Sequence, residues 1–586
     1  MEPIPIVPLA CANWIAGSAA CILKGRSACS KCHLVVYCGT ECQKRHWAVH
    51  KNVCKSDLIR ANWRPAWDRE GYQPAWESTR ASRAWHNPFG GEKYLWGNVP
   101  AIDVLRLPEN EGNAYPDDIS LLFAASGDLR HVIETVVGLR DGPMGRIQVT
   151  LNDREFEVVA RNAVLLLFAL TAPTNNPTAD EATTFDVAES LIHLWYSALI
   201  PARLLSQLQS RIKPLITEVC RKIASKAPGA RLAKTWQLGP GRSLRLVLTK
   251  EEWLKLEKLL EASEQLTCDE ATNIRTAVTL APERADYRDR WYFKEATPSM
   301  RLAKQRFRED GLLLPFGHPR TGFDTPNPTL FQANGYWSMC DKSDPLDGWP
   351  MLEIRDRPFP AKEDCYGQLF VYLRKKLKSF LERLAVVNIN FEMHCVDVRE
   401  LPQYLERDKY TRIEASNISD TCYLGIRETL ARLCSLLQLP QKNPHATLIT
   451  LFLNAVMEVV KMDNEQDEIP NMKLLMEYLP TPNVFSLLSR HSADMLRIWD
   501  ARNLVLDVDT YFERYRALRR FDQIAAELNI AEKESNTVTE RWPMRLKLQP
   551  GQEGAREEFA LLLASGWSGM ERYVEWRREE PSSRRG

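Results

Sequence analysis

The first 54 residues contain a dense cluster of thiol and imidazole side chains. Seven of the 14 cysteines lie there, and with one histidine they give eight metal ligands: Cys11, Cys21, Cys29, Cys32, Cys38, Cys42, His50 and Cys54. In a reducing compartment, clustered thiols bind metal ions more readily than they form disulfides. Eight ligands suffice for two closed tetrahedral zinc sites with no position left for water. The pattern therefore predicts two structural zinc ions rather than a catalytic metal.

Two features of the sequence predict where the protein is located, and the first of them indicates a reducing compartment. The N-terminal stretch has no basic region and is interrupted by Pro3, Pro5 and Pro8, so it does not resemble a secretory signal. The longest apolar runs, 163–172 and 446–460, are shorter than the ~18 uninterrupted apolar residues of a membrane span. The sequence therefore predicts a protein without a membrane span, located in the cytoplasm, with the nucleus as the second choice.

The segment CSKCHLVVYCGTECQKRHWAVHKNVC resembles a MYND-type zinc finger, including its YC-x3-CQ step and its HW-x2-HK-x2-C ending. The resemblance covers residues 11–54 and implies a small treble-clef-like domain with interleaved sites. It implies that one zinc is bound by Cys11, Cys21, Cys38 and Cys42 and the other by Cys29, Cys32, His50 and Cys54.

One spacing departs from the family pattern. The first knuckle of a MYND finger is usually Cys-x2-Cys, whereas nine residues separate Cys11 from Cys21. His33 and His46 are left over as spare imidazoles. We expect His46 at the surface beside Trp47, and His33 in solvent or in a local hydrogen bond.

The finger is mildly basic. Seven basic side chains stand against Glu2 and Glu41: Lys24, Arg26, Lys31, Lys44, Arg45, Lys51 and Lys55. The resemblance to MYND fingers implies protein partners, with proline-rich or mildly acidic peptides favoured. The whole chain has 77 Lys+Arg against 76 Asp+Glu and no long run of one sign, so we expect neither a nucleic-acid partner nor a membrane surface.

A tryptophan-rich segment follows the finger. It contains Trp63, Trp67, Trp76 and Trp85 among Pro, Gly and charged residues, without helical or strand periodicity. Dense indoles are unfavourable in water, so we expect a strap that docks into grooves on the rest of the chain. Binding of a partner by these indoles is the alternative.

The remainder has the pattern of an α/β body. Two strand-helix units occur near 118–137 and 146–170, and three further strands are predicted near 387–396, 410–416 and 446–453. This pattern favours one mostly parallel, Rossmann-like sheet of the methyltransferase type, interrupted by an insertion. The predicted organisation is a zinc finger over 1–56, a strap over 57–94, the first half of the Rossmann-like domain over 95–170, a mainly helical insertion over 171–384, the second half over 385–470 and a helical C-terminal region over 471–586.

Within the insertion, a basic run could contact phosphates. Its members are Arg288, Arg290, Arg301, Lys304, Arg306 and Arg308, and acidic residues such as Asp289 and Glu295 are interspersed with them. The mixture of signs favours a solvated, salt-bridged face over a nucleic-acid site.

Several blocks between residues 89 and 456 resemble the N-terminal domain of the dynein axonemal assembly factor family, which occurs in fungi beside MYND fingers. The blocks, in the same order, are FGGEKYLWGNVPAIDVLRLPENEG, LLFAASGDLRHVIETV, LNDREFEVVARN, LLLPFGHPR and SNISDTCYLG. This resemblance implies a Rossmann-like body and a role in the assembly of other proteins.

An enzymatic hypothesis rests on the ends of the predicted strands. The turn at Gly127 and Asp128 and the acids Asp153 and Asp397 match the ground plan of S-adenosylmethionine-dependent methyltransferases. The turn has a single glycine, however, where close approach of a cofactor to the main chain favours more than one. The Asn-His-Ser-Cys block of SET-type methyltransferases is absent, as are G-x-S-x-G, a phosphate loop and His-Glu-x-x-His.

The sequence therefore favours a zinc-binding adaptor or assembly factor for protein-protein interaction, in which a degenerate nucleotide-type fold serves as a binding platform. No catalytic residue is predicted, and no cofactor besides zinc. The alternative is an S-adenosylmethionine-dependent methyltransferase.

Overall fold

The structure is a computed structural model that describes residues 9–579 apart from 15–19, 78–87, 141, 143, 174–180, 262–265, 296, 333–334, 356, 466–467, 470, 480–488 and 490. The finger consists of a short antiparallel hairpin and one helix: β1 (Ser27–Ala28), β2 (Val36–Tyr37) and α1 (Thr40–Lys55). Residues four apart lie on one face of a helix. Helix α1 therefore presents Cys42, His46, His50 and Cys54 together.

A nine-stranded sheet forms the centre of the body. Its strands are β3 (Ile119–Ala124), β4 (Ile147–Asp153), β6 (Arg231–Gln237), β7 (Arg242–Thr249), β9 (Ile389–Cys395), β10 (Arg412–Glu414), β11 (Thr447–Phe452), β12 (Ile530–Glu532) and β13 (Arg572–Arg578). Their order is β12-β13-β11-β10-β3-β4-β9-β7-β6, and the six from β11 to β7 run parallel. A separate pair is β5 (Leu199–Ile200) with β8 (Thr325–Pro326). The prediction of one mostly parallel sheet is confirmed.

Both faces of the sheet are buried. Leu121 and Phe123 of β3 belong to one hydrophobic core, and the alternate residues Leu122 and Ala124 belong to another. Such two-sided burial is typical of parallel sheets. From β3, the chain extends the sheet in one direction through β4 and β9 and in the other through β10 and β11. The reversal places a topological switch point between β3 and β10.

Helices cover the two faces. Those that pack in the first core include α3 (Arg130–Gly138), α4 (Phe156–Leu170) and α13 (Cys365–Val386). Those in the second core are α14 (Ile426–Leu433), α15 (Ala455–Met462), α18 (Val508–Arg519) and α19 (Phe521–Leu528). Within the described residues, no helix is long and apolar enough to span a bilayer.

The remaining helices lie in the strap, the insertion and the C-terminal region. They are α2 (Ala66–Glu70), α5 (Glu181–Tyr196), α6 (Ala202–Gln207), α7 (Lys213–Ile223), α8 (Lys250–Leu259), α9 (Cys268–Thr279), α10 (Ala285–Glu295), α11 (Pro298–Asp310), α12 (Met351–Arg355), α16 (Met472–Tyr478), α17 (Ala493–Ala501) and α20 (Ala555–Ala564).

No strand was predicted within residues 171–384 or 471–586, but both mainly helical regions contribute strands to the sheet. The insertion supplies the hairpin β6–β7 to one edge of the sheet, and the C-terminal region supplies β12 and β13 to the other. A Gly-Pro-Gly turn at 239–241 joins β6 and β7, and alternation in the flanking runs is the signal that indicates a hairpin. The sheet thus includes residues from all regions of the body.

The strap docks on the body, as predicted. Trp67 and Trp76 are buried with their ring centroids 5.1 Å apart, and they pack with Tyr287, Trp291 and Leu496. The indole Nε1 of Trp67 donates to a backbone oxygen at 3.1 Å. The fourth tryptophan of the strap, at position 85, lies outside the described residues.

The basic run of the insertion is not a solvated face, which corrects the sequence interpretation. Arg290 is 2% exposed and donates from two guanidinium nitrogens to Asp500, at 3.0 and 2.7 Å. Arg301 is also buried and lies 4.8 Å from the ring centroid of Trp63. The partners come from the strap and from α17, far away in sequence, so local charge patterning gave no sign of them.

Candidate metal centre

The hairpin and α1 position most of the candidate ligands. Cys29 and Cys32 lie in the turn after β1, which is closed by the left-handed backbone of His33 (φ 51°). Cys38 follows β2, and α1 begins two residues later. The helical face then carries the last three ligands, Cys42, His50 and Cys54.

One group of four ligands is completely buried and consists of Cys29, Cys32, His50 and Cys54. The Sγ atoms of Cys29 and Cys54 are 3.6 Å apart. His50 Nε2 lies 3.6 Å from Cys32 Sγ and 3.1 Å from Cys54 Sγ. Tetrahedral zinc with ligands at about 2.3 Å for sulfur and about 2.0 Å for nitrogen separates its ligand atoms by about 3.5 to 3.8 Å. The two 3.6 Å separations fit a zinc site, and the distance from His50 Nε2 to Cys54 Sγ is shorter than that range.

The other group consists of Cys11, Cys21, Cys38 and Cys42, whose sulfurs all lie within 4.8 Å of one another. Cys38 Sγ is 3.8 Å from Cys21 Sγ and 3.4 Å from Cys42 Sγ. The nine residues between Cys11 and Cys21 do not keep their sulfurs apart. The backbone N–H of Cys11 donates to the carbonyl of Leu23, and this bond holds Cys11 beside the segment that follows Cys21. Three of these cysteines are half-buried, whereas Cys11 is buried.

Electrostatics in the buried group call for a cation. Cys32 lowers the pKa of the Cys29 thiol to about 2, whereas the interaction with Cys29, together with burial, raises the pKa of the Cys32 thiol. Two adjacent thiols of this kind oppose each other's ionisation. A divalent cation removes this conflict, because it stabilises every thiolate around it.

Comparison with protein families agrees with this geometry. Residues 18–54 match the model of the MYND finger. The matched range holds seven of the eight ligands, all except Cys11, and the two Cys/His clusters fit a MYND finger that binds zinc ions, as predicted. Residues 95–200 match a domain of unknown function, DUF4470, which covers the first two strands of the body. No solved structure matches the chain.

The MYND finger is packed against the body. The indole Nε1 of Trp14 donates to the carbonyl of Gly317 at 2.8 Å, and the backbone N–H of Ala10 donates to His318 Nε2 at 3.3 Å. Finger residues Leu34 and Val35 belong to the same hydrophobic core as the body. One side of the MYND finger is therefore covered by the body.

His46 is buried, which corrects the expectation that it lies at the surface. Tyr37 Oη lies 2.9 Å from His46 Nδ1, and the His46 ring stacks on His50 with 5.9 Å between centroids. Burial lowers the pKa of His46 to about 4, and nearby Arg306 of the body contributes to that decrease. The expectation failed because the hairpin brings Tyr37 onto this face of α1, close to which Arg306 of the body also lies. The backbone carbonyl of His33 accepts a hydrogen bond from Glu363.

Gly127, Asp128 and Asp153, three of the four candidate cofactor residues, lie close together at the carboxyl ends of β3 and β4. Their hydrogen-bonding groups are bonded to other groups of the same chain. Asp153 accepts the backbone N–H of Gly127 at 3.1 Å. Asp128 accepts the backbone N–H of Gly97 at 2.8 Å and pairs with Arg130 at 2.6 Å. The carboxylate of Asp397 stands apart and bonds locally to Arg399.

A buried carboxyl that the sequence interpretation missed lies at the same edge of the sheet. Glu414 ends β10, and one of its oxygens accepts the backbone N–H of Ser416 at 2.7 Å. Its other oxygen and the hydroxyl of Tyr573 are buried and have no hydrogen-bond partner among the residues that the structure describes. Burial raises the pKa of Glu414 to about 7. Glu414 comes from a predicted strand, and Tyr573, which interacts electrostatically with it, comes from β13, which was not predicted.

The raised pKa of Glu414 predicts that the free energy of unfolding falls as the pH rises. The folded state keeps the proton of Glu414 up to about pH 7, whereas the unfolded chain releases it near pH 4.3, so stability should fall between these values by about 3 kcal/mol. Urea unfolding at pH 5 and pH 8 measures this loss as a difference between two free energies of unfolding. Glu414→Gln should remove the part of that difference that comes from Glu414. The control is Glu406→Gln, which changes an exposed side chain and should keep the full difference between the two pH values. The same difference in the unchanged protein and in both variants would contradict the prediction.

Proposed function

We propose that this protein is a zinc-dependent adaptor for protein-protein interaction, in which the MYND finger binds the partner and the α/β body holds the finger. We assign the zinc ligands as Cys11, Cys21, Cys38 and Cys42 for the first site and Cys29, Cys32, His50 and Cys54 for the second. The supporting observation is that the finger packs on the body with one side and leaves the outer side of α1 exposed.

The outer side of α1 combines apolar and basic groups. Trp47 is 44% exposed, and Lys44 and Lys51 flank it at helical spacing. Ile22 and Leu23 of the knuckle are exposed as well. An indole offers a flat surface for proline rings, and lysines attract carboxylates. The proposed partner therefore presents a proline-rich segment with acidic residues.

The body supports the role of a platform rather than that of a catalyst. The backbone N–H of Gly127 donates to Asp153, and its carbonyl accepts a hydrogen bond from Asn162 at 2.7 Å. A cofactor that approached this turn would have to replace both internal bonds. We propose on this basis that the body has no methyltransferase activity and that the protein acts in the cytoplasm as an assembly factor for other proteins.

Selection from a displayed library of random peptides tests the adaptor proposal. The zinc-loaded full chain should enrich peptides rich in Pro, Asp and Glu, and Trp47→Ala should lower their affinity at least about tenfold, because the indole is the largest exposed apolar group on this face. The control is Leu518→Ala, which removes a 50% exposed side chain from α18 and should leave the affinity unchanged. Equal affinities for the two variants would contradict the proposed face.

The runner-up is an S-adenosylmethionine-dependent methyltransferase, and one observation favours it. Ala125 and Ser416 follow the adjacent strands β3 and β10, and both have left-handed backbones, with φ of 56° and 46°. Such strained non-glycine residues cluster at functional sites, and the switch point is where doubly wound sheets bind ligands. Calorimetric titration of S-adenosylmethionine into the full chain separates the two functions. Micromolar binding lost in Gly127→Val would favour the enzyme, and no heat at millimolar ligand would favour the adaptor.

A further inference from the structure

The two zinc sites differ in their access to solvent. All four ligands of the second site are at most 3% exposed. In the first site only Cys11 is buried, and Cys21, Cys38 and Cys42 are reached by water. Access of solvent to a metal is controlled by the shell around its ligands. A chelator in solution therefore reaches the first zinc before it reaches the second.

The first site also holds a segment that touches the body. Cys11 is the single ligand contributed by residues 9–14, and this segment lies between the finger and the loop at 315–320. Toward the finger, the backbone N–H of Ala12 donates to Val36 at 2.8 Å. Toward the body, Trp14 donates to Gly317 and Ala10 donates to His318.

The contact with the body is tight at Gly317. A methyl group added there would lie 3.0 Å from the Cβ of Ala12 and 3.5 Å from a methyl of Val35. The position of residues 9–14 is therefore coupled to that of the loop through packing as well as through two hydrogen bonds. A ligand that favours one arrangement of a coupled pair is itself favoured by that arrangement.

We propose that the first zinc is an exchangeable ion that latches residues 9–14 onto the loop at 315–320, while the second zinc is permanent. When a chelator takes the first zinc, the four thiolates take up protons from water and Cys11 loses its connection to the other three cysteines. The remaining contacts of the segment are a few hydrogen bonds, each of which contributes little, and the packing of the apolar residues Leu9 and Ala12. The segment then leaves the loop, and the surface around Gly317 becomes accessible. This inference rests on the ligand assignment proposed above.

Native mass spectrometry of the full chain during limited chelation, combined with hydrogen-deuterium exchange, tests the latch. We expect two zinc ions at the start and a one-zinc form that accumulates. In that form, exchange should rise in residues 9–14 and 315–320, while the second half of α1 stays protected. Fewer than two ions in the untreated protein would overturn the ligand assignment. Simultaneous loss of both ions, earlier loss of the second, or continued protection of 315–320 would overturn the latch.

A matched pair of variants tests the coupling from the side of the body. Gly317→Ala pushes against Ala12, and we expect it to accelerate release of the first zinc roughly three- to tenfold while the second is retained. Gly39→Ala makes the same chemical change within the finger, where an added Cβ meets no atom of the described part of the chain within 4 Å, and release should keep its normal rate. Equal release rates in the two variants would overturn the coupling.

Discussion

Cys32→Ser is expected to remove the second zinc ion and to destabilise the MYND finger. Cys32 is fully buried in the second site, where a serine hydroxyl is a poor zinc ligand. Structural zinc in finger domains contributes an apparent ~10 to 16 kcal/mol per ion, so loss of one ligand affects a large part of the folding free energy of this segment. Because Leu34 and Val35 are part of the main core, the melting transition of the body should shift to lower temperature as well.

Zinc counting and calorimetry check this prediction together. Native mass spectrometry should count one zinc fewer in Cys32→Ser, and calorimetry should show the lower transition. Cys268→Ser removes a half-buried thiol at the start of α9, outside both clusters, and should keep both ions and the normal transition. Full zinc content in Cys32→Ser would refute the ligand assignment. Loss of zinc with an unchanged transition would refute the coupling between finger and body.

Glu111→Gln is expected to destabilise the body by about 3 to 5 kcal/mol. The Arg412 guanidinium donates to both oxygens of Glu111, at 2.7 and 2.8 Å, and both side chains are at most 1% exposed. The neutral amide leaves a buried guanidinium without its counter-charge, which is the costly way to break such a pair. Asn443 also donates to Glu111, at 3.0 Å.

Urea unfolding of matched variants checks this value. Glu109→Gln alters an exposed pair with Arg106 on the same segment and should change stability by less than about 1 kcal/mol. Burial alone would raise the pKa of Glu111, but Arg412 and Asn443 hold it below its usual value. The stabilisation by this carboxylate should therefore be present at neutral pH and disappear as the pH falls below about 4. Equal midpoints for the two variants would contradict the role of the buried pair.

Short-range patterns in the sequence were the reliable ones. The candidate zinc ligands were recognised because thiol spacing within 54 residues is a local property of the chain. The central strands were predicted for the same reason, since a run such as 119–124 is apolar and bounded by a turn. The hairpin β6–β7 was missed although its turn and its alternation are local, because the surrounding insertion is dominated by helical periodicity.

Features that depend on long-range contacts escaped prediction. Arg290 was expected in solvent because its partner Asp500 is 210 residues away. His46 was expected at the surface because its neighbour in sequence, Trp47, gave no sign that the hairpin residue Tyr37 bonds to it. At the candidate cofactor turn, a sequence shows which acids follow which strands. It does not show that Asp128 already binds the backbone of Gly97.

Site-specific photo-crosslinking in cells tests the central claim, that the outer face of the MYND finger binds the partner protein. A photoreactive amino acid in place of Lys51, which is exposed one helical turn from Trp47, should form adducts with another protein, and chelation of zinc should abolish them. The same amino acid in place of Leu518, which is similarly exposed on the body, should form none. Adducts from position 518 alone, or adducts from position 51 that survive loss of both zinc ions, would contradict the claim.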